Sequence, residues 1–407
     1  MTHRTWIEVN RAALLHNVKE FFGLIGPKVR LMAVVKANAY GHGIVEVAQS
    51  LLALRSFNEG GWFGVDSLNE ALTLRNAGIT QPILTLGYVP LDRLHEAVAH
   101  DIRLTVYNSE TIEALGMVRQ AHHDNLVTLS LSKGGSRIKL HLKLETGTNR
   151  QGLLPEAALE LCKLIQQYPQ LELEGISSHF ANIEDTTDHS FALEQLQRFK
   201  QALELLAQQG IYPKIRHMGA SAATILMPET HFDMVRVGIG LYGLWPSRET
   251  FVSTRAKEKT FLHPPLEKGE RGGFNLLPVL SWKTRIAQIK KVPAGESVGY
   301  GLSERVPQDS RIAIIPVGYY DGYDRKLSSM GNVLIGGKRC KIVGRISMNM
   351  CMVDITHVSN AKVEDEVVLL GQQGNERIPA EELAQKIGTI NYEVVARINP
   401  LLPRVVV

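Results

Sequence analysis

The chain has 407 residues, 44% of them hydrophobic and 21% charged, with a formal net charge of +4. That length suits two or three domains at a prior of about 150 residues each. The small charge, with no stripe of Lys and Arg, argues against a nucleic-acid face, and no apolar run nears the roughly 18–20 residues that cross a bilayer.

Three scattered cysteines, Cys162, Cys340 and Cys351, form neither a disulfide framework nor a metal-ligand set. The N-terminus alternates like a strand instead of carrying a signal-peptide core, so a cytoplasmic location is expected.

In chain order, apolar runs at 31–35, 62–65, 83–86, 103–106, 140–144, 173–177, 214–217 and 234–239 read as strands. Helical periodicity fills several of the gaps, as at 67–75 and 194–208. Eight strands, mostly followed by helices, predict a (β/α)8 TIM-type barrel with its chemistry at the carboxyl ends of the strands. An open doubly wound sheet is the second choice.

The expected barrel spans 1–245, with residues 1–10 free to join a later sheet. Residues 248–275 are polar and basic, rich in Gly and Pro, and lack an apolar period. With 246–247 they read as a mobile linker or insertion. Residues 130–137 read as a second, shorter insertion. From 276 to 407, β-like runs at 311–317, 331–335, 341–343, 351–355 and 366–370 predict a mainly β domain, interrupted by one helix at 381–387.

The first strand stops at a lysine, in Val34-Val35-Lys36-Ala37-Asn38-Ala39-Tyr40-Gly41-His42-Gly43. Burial of a lysine at such a strand end favours the neutral amine that a Schiff base needs. Further motifs follow: Lys143-Leu-Glu145-Thr-Gly-Thr148-Asn-Arg150, Ser178-His179-Phe180, and His217-Met-Gly-Ala-Ser221. Next is Arg236-Val-Gly238-Ile239-Gly240-Leu-Tyr-Gly243, which fits G-x-G-x-x-G. A dinucleotide fingerprint must open a helix, and Trp245-Pro246 argues against one, so a barrel phosphate site is the better reading. The last part of the chain adds Val298-Gly-Tyr300-Gly301, Gly318-Tyr319-Tyr320-Asp321, Ser347-Met348-Asn349 and Asn391-Tyr392-Glu393.

Taken together and in this order, these stretches resemble the alanine racemase family over nearly the full length. The resemblance implies pyridoxal 5'-phosphate on Lys36, with Tyr40, His179, Ser221, Arg236, Gly238, Ile239 and Tyr392 around the cofactor. Arg236 would face the pyridine nitrogen. Arg150, Met348 and Tyr319 would meet the substrate, and Lys143 matches a lysine that is often carbamylated. Lys36 and Tyr300 would be the two bases, Lys36 acting on the D-enantiomer and Tyr300 on the L-enantiomer.

The resemblance further implies an alanine racemase activity supplying D-alanine for peptidoglycan, and a homodimer whose second domain covers the partner's barrel. No metal, nucleic acid or membrane enters this reading. The chain departs from the family pattern at Glu145 (usually Asp), Thr148 (usually Met) and Asn349 (usually Asp). A racemase for serine or for a broader set of amino acids stays open, since small pocket changes shift preference by only a few kcal/mol. A barrel-type decarboxylase would place an acid where Arg236 stands. A non-catalytic single-barrel carrier would lack residues 276–407.

Overall fold

A computed structural model describes residues 3–118, 137–260 and 273–407. Two compact units divide the chain, one of 15–36 and 48–276, the other of 1–14, 37–47 and 277–407.

After β1 (Thr5–Val9), the strands of the first unit are β2 (Arg30–Val34), β3 (Trp62–Val65), β4 (Ile83–Thr85), β5 (Ile102–Val106), β6 (Ile138–Lys143), β7 (Leu171–Ser177), β8 (Ile215–His217) and β9 (Met234–Val237). They pair in parallel in the order β8-β7-β6-β5-β4-β3-β2-β9, with Met32 of β2 beside Arg236 of β9. The ends of that row meet, since Asp233 and Arg236 donate their amides to the carbonyls of Arg216 (3.1 Å) and Gly219 (2.9 Å). The barrel therefore comes close to full closure, and every carboxyl-end loop opens on one rim. Continuous apolar runs suit strands covered on both faces, and Leu31, Met32, Ala33, Phe63, Ile83 and Leu84 are fully buried.

The second unit is built on a mainly β sheet: β10 (Leu280–Arg285), β11 (Gln288–Val292), β12 (Ser310–Ile315), β13 (Asn332–Ile335), β14 (Lys338–Val343), β15 (Cys351–Asp354), β16 (Glu366–Gln373), β17 (Glu376–Ile378) and β18 (Arg404–Val406). β1 joins it, antiparallel to β10 and parallel to β18. Two helices, Ala380–Ile387 and Asn391–Ala396, lie in its sequence where one was expected; the second carries Tyr392.

The linker reading of 248–275 needs correction. Arg248–Thr260 is a helix. Ser247 starts it: its Oγ accepts the Thr250 amide at 2.9 Å and donates to the Glu184 carbonyl. Trp245 packs edge-on against Phe251 (5.1 Å) and Phe274 (5.8 Å), and Phe274 meets Phe21 at 5.4 Å. The mean composition of the segment hid two docked aromatics. Residues 261–272, like most of the predicted insertion at 130–137, lie outside the described residues.

Directly after Lys36 the chain makes a left-handed turn. Ala37, Asn38, Ala39 and Tyr40 all have φ between 52° and 54°. Each such residue costs about 1–2 kcal/mol in L-amino acids, so the surroundings must hold it. Asn38 Oδ1 accepts the Ile44 amide at 2.9 Å, and the Asn38 carbonyl accepts the Gly43 amide at 2.9 Å. His42 Nδ1 faces the carbonyls of Ala39 (3.0 Å) and Tyr40 (2.9 Å), so it carries the proton and donates. Burial pushes His42 down to about 4, keeping it neutral in this role. Arg404 reaches the Gly41 carbonyl at 2.9 Å. At Gly41 (φ +83°) a Cβ would sit 2.0 Å from the Val395 carbonyl oxygen.

Two outcomes are expected. Gly41→Ala should lower stability by roughly 3 kcal/mol, because backbone on both sides must move. A urea-midpoint loss worth under about 1 kcal/mol would show that the turn yields. Replacing residues 248–260 with a short Gly/Ser link should cost about 2 kcal/mol through the lost Phe251 side chain and its pair with Trp245, well above the near-zero effect of shortening an unpacked loop. Differential scanning calorimetry of the trimmed chain decides between them.

Candidate active site

At the barrel rim, Lys36 follows β2 and its Nζ lies 4.0 Å from Asp66 Oδ1, beyond β3. The expectation of a buried lysine is not met: its side chain is 42% exposed. The strand is buried up to Val35, and the turn at Ala37 carries the lysine out of the barrel wall. Asp66 had escaped notice because one acid after a strand reads as a turn residue.

Arg236 is the opposite case. The residue is 5% exposed, and its guanidinium lies at the carboxyl ends of β7 and β8. Nη1 donates to the His217 carbonyl (2.9 Å) and to His217 Nδ1 (2.7 Å). Nη2 donates to the carbonyls of Ser178 (2.7 Å) and Met218 (3.1 Å) and to His179 Nδ1 (3.2 Å). Arginine has donors only, so both imidazoles must accept at Nδ1 and hold their proton on Nε2. Burial lowers Arg236 to about 10, which leaves it charged at neutral pH. Burial also holds His179 well below its ordinary value, reinforced by Lys143 and then Arg236. His217 is held down by burial and then by Arg236.

β8 and β9 end in a small cluster of donors. The amides of Gly238 (3.1 Å) and Gly240 (3.4 Å) both point at Ser221 Oγ. β9 stops at Val237, so the predicted strand was two residues too long, and Ile239–Tyr242 is one 3-10 turn closed by Gly243 at φ 76°. No long helix opens here, in keeping with the rejection of a dinucleotide fingerprint. Gly240 must be glycine, because a Cβ would come within 2.5 Å of the Phe21 ring.

The loop after β6 explains two of the departures. Glu145 Oε1 accepts the Thr148 amide at 2.6 Å and also the Gly147 amide. Burial would raise this carboxyl, yet the amides of Gly147, Asn149, Thr148 and Arg150 outweigh it and hold it below its usual range. Thr148 Oγ1 donates to the His179 carbonyl at 2.8 Å. The two unusual side chains thus shape the loop that carries Arg150, whose own side chain is exposed. Burial, then Arg236 and Arg150, pushes Lys143 well below its ordinary value.

In the second unit, Tyr40 and Tyr392 stand 6.1 Å apart between ring centroids. Tyr319 and Met348 come together through the backbone: the Tyr319 amide donates to Ser347 O (3.1 Å) and the Tyr320 amide to Met348 O (3.0 Å). Gly318 permits this, since a Cβ there would lie 2.2 Å from Ser347 O. Tyr300 sits on a separate turn between Gly299 (φ +81°) and Gly301 (φ +74°) and is 73% exposed. Asn349 is exposed, and nothing in the structure explains its departure.

Sequence reasoning missed the partners of Arg236. The sequence gives His217 no role by itself, and His141 and Glu174 do not stand out from their strands. Their signal was weak, because His141 stands between Lys139 and Lys143, Glu174 follows Glu172, and His217 follows Arg216. Among the described residues no His, Cys, Asp and Glu cluster could hold a metal ion, and no helix is long and apolar enough to cross a membrane.

Comparison with known proteins agrees with this layout. Residues 9–246 match the family model "Alanine racemase, N-terminal domain" and 279–406 match "Alanine racemase, C-terminal domain". The alanine racemase of Desulforamulus reducens is 39% identical over 406 residues, covering 100% of this chain and 99% of that protein. The crystal structure of alanine racemase from Bacillus anthracis with bound L-Ala-P superposes with a TM-score of 0.84 at 33% identity, over 100% and 96% of the two chains. A histidine racemase from Leuconostoc mesenteroides superposes at 0.81 with 28% identity, over 100% and 98%. With both halves matched in order and the barrel and β unit in place, this chain belongs to the alanine racemase family of isomerases.

Proposed function

We propose that this chain interconverts L-alanine and D-alanine with pyridoxal 5'-phosphate as cofactor, by a two-base mechanism, and supplies D-alanine for peptidoglycan. The observation that carries the reading is the donor set on the barrel rim: a primary amine at Lys36, a hydroxyl with two converging amides at Ser221, Gly238 and Gly240, and a buried guanidinium at Arg236. These chemistries fit an aldehyde, a phosphate and a pyridine nitrogen respectively.

Lys36 would hold the cofactor, with Ser221, Gly238, Ile239, Tyr40 and Tyr392 at its phosphate and His179 beside its ring. Bound there, the cofactor supplies a sink for the electrons left on Cα when its proton is removed. Arg236 would donate a hydrogen bond to the ring nitrogen and, having no site to accept a proton, would keep that sink weak and disfavour side reactions. Arg150 would hold the substrate carboxylate, its fork of donors matching a planar anion. Lys143, pushed toward the neutral amine, has the form that reacts with carbon dioxide, and a carbamate there would hold Arg150.

Inversion at Cα needs a proton taken on one face and returned on the other. Lys36 and Tyr300 would serve the two faces, with Tyr319 and the Met348 backbone at the substrate entrance. In this reading residues 1–245 form the cofactor-binding half, 276–407 bring the second base, and each Tyr300 serves the partner's barrel in a homodimer. The exposure of Tyr300 within its own unit is what such sharing requires. A broader specificity is the second reading, favoured by the 28% identical histidine racemase of the same fold.

Purified protein given pyridoxal phosphate and L-alanine should produce the racemate by chiral chromatography, and borohydride followed by peptide mapping should label Lys36. Offered a panel that includes L-serine and L-histidine, it should turn over alanine fastest. Label on another lysine, or a preference for histidine, would redirect the assignment.

Lys36→Ala and Tyr300→Phe should each abolish turnover. Mixed under conditions of subunit exchange, they should regain activity in about half the sites of each heterodimer, because one site then carries both lesions and the other neither. A verified heterodimer without activity would place both bases in one chain.

A further inference from the structure

Barrels of this kind are normally filled by layers of branched apolar side chains. Here a line of polar groups crosses the interior, one each from β9, β8, β6, β7 and β5: Arg236, His217, His141, Glu174 and Arg103. All are under 10% exposed. His217 Nε2 lies 2.9 Å from His141 Nδ1, and His141 Nε2 lies 3.1 Å from Glu174 Oε2. The same carboxylate oxygen accepts from Arg103 Nε at 2.9 Å. Arg103 in turn covers the Trp62 ring at 4.9 Å and lies 3.5 Å from Asp101.

Proton positions along this line follow from valence alone. Arg236 can only donate, so His217 Nδ1 accepts and its proton sits on Nε2. That proton points at His141 Nδ1, which must therefore accept. The His141 proton then sits on Nε2 and points at a carboxylate that can only accept. With a pure donor at one end and a pure acceptor at the other, a single arrangement satisfies every group. Reversing it would require Arg236 to release a proton.

We propose that His217, His141 and Glu174 are positioning residues which hold the Arg236 guanidinium in one orientation toward the ligand. Each is one link in a one-way chain anchored on the Glu174 carboxylate. With the proposed function, that ligand is the pyridine nitrogen, and the chain sets the electronics of the cofactor from the far side of the barrel. Burial as the main cause keeps His141 below its ordinary value despite Glu174, so the imidazoles stay neutral and the chain carries no mobile charge.

The test uses the full chain with 15N-labelled histidine, first free of cofactor and then loaded. The expected result is a neutral Nε2-protonated tautomer for both His141 and His217, unchanged from about pH 6 to about pH 8. A Nδ1-protonated or doubly protonated form of either ring overturns the proposal. Glu174→Leu removes the acceptor, and Glu174→Gln keeps an oxygen in its place. Glu174→Leu leaves the tautomers that Arg236 imposes but strips the His141 Nε2–H of its acceptor, and it should lower kcat by about tenfold, the scale of one lost hydrogen bond, with KM changed by less than about twofold. Glu174→Gln should restore most of kcat. Equal losses in the two variants would overturn the acceptor's role, as would an unchanged rate in Glu174→Leu. If Glu174→Leu does not fold, the wild-type tautomers and Glu174→Gln still decide. The cofactor-free spectra test the chain by itself, so a failure to bind pyridoxal phosphate would count against the proposed function and not against the hydrogen-bond order.

Discussion

A guanidinium buried in the barrel is the constraint around which the rim is organised. Taking an unpaired charge out of water is prohibitive, and Arg236 meets that demand with three carbonyls and two imidazoles. Each acceptor comes from the ends of β7 and β8, so the position of Arg236 depends on neighbouring strands keeping register. The same contacts dictate tautomers: His179 and His217 accept because arginine cannot. Burial then keeps those rings neutral, and the acceptors remain available. Local pKa values, ring orientation and barrel register are thus parts of one balance.

The second constraint is backbone. Lys36 is delivered to the rim by a buried strand and then released by four residues in the left-handed region. Such a run is unfavourable by several kcal/mol, and it persists because Asn38, His42, Arg404 and the close approach of Gly41 to Val395 over-determine it. The turn belongs with 277–407 in packing, although it follows a barrel strand in sequence. The lysine therefore marks a place where one compact unit passes the chain to another.

Family membership rests on both halves of the chain matching in order. Preference among amino acids rests on less, because a histidine racemase shares the fold at 28% identity. The loop of Arg150 is where this chain departs most informatively. Glu145 and Thr148 replace the usual pair, and both side chains are spent on the loop's own backbone and on His179. The arginine keeps its identity while its support is rebuilt.

Apolar runs located the eight strands to within two residues at their ends, because strands buried on both faces are mainly apolar. The ordered motifs, through their resemblance to the alanine racemase family, offered Lys36, Arg150, Ser221, Arg236 and Tyr300 as candidate site residues. Composition misled at 248–260, where a polar average concealed Phe251 against Trp245. What only the tertiary structure decided is long-range: the left-handed turn after Lys36, the 4.0 Å approach of Asp66, and the line from Arg236 to Arg103. His141 alternates with Lys139 and Lys143 in β6 and Glu174 follows Glu172 in β7, and a period of two says which face they occupy but not what waits opposite. Their partners sit 33 to 76 residues away. Closing the barrel is what brings them within hydrogen-bond distance, and only then does one arrangement of protons become compulsory.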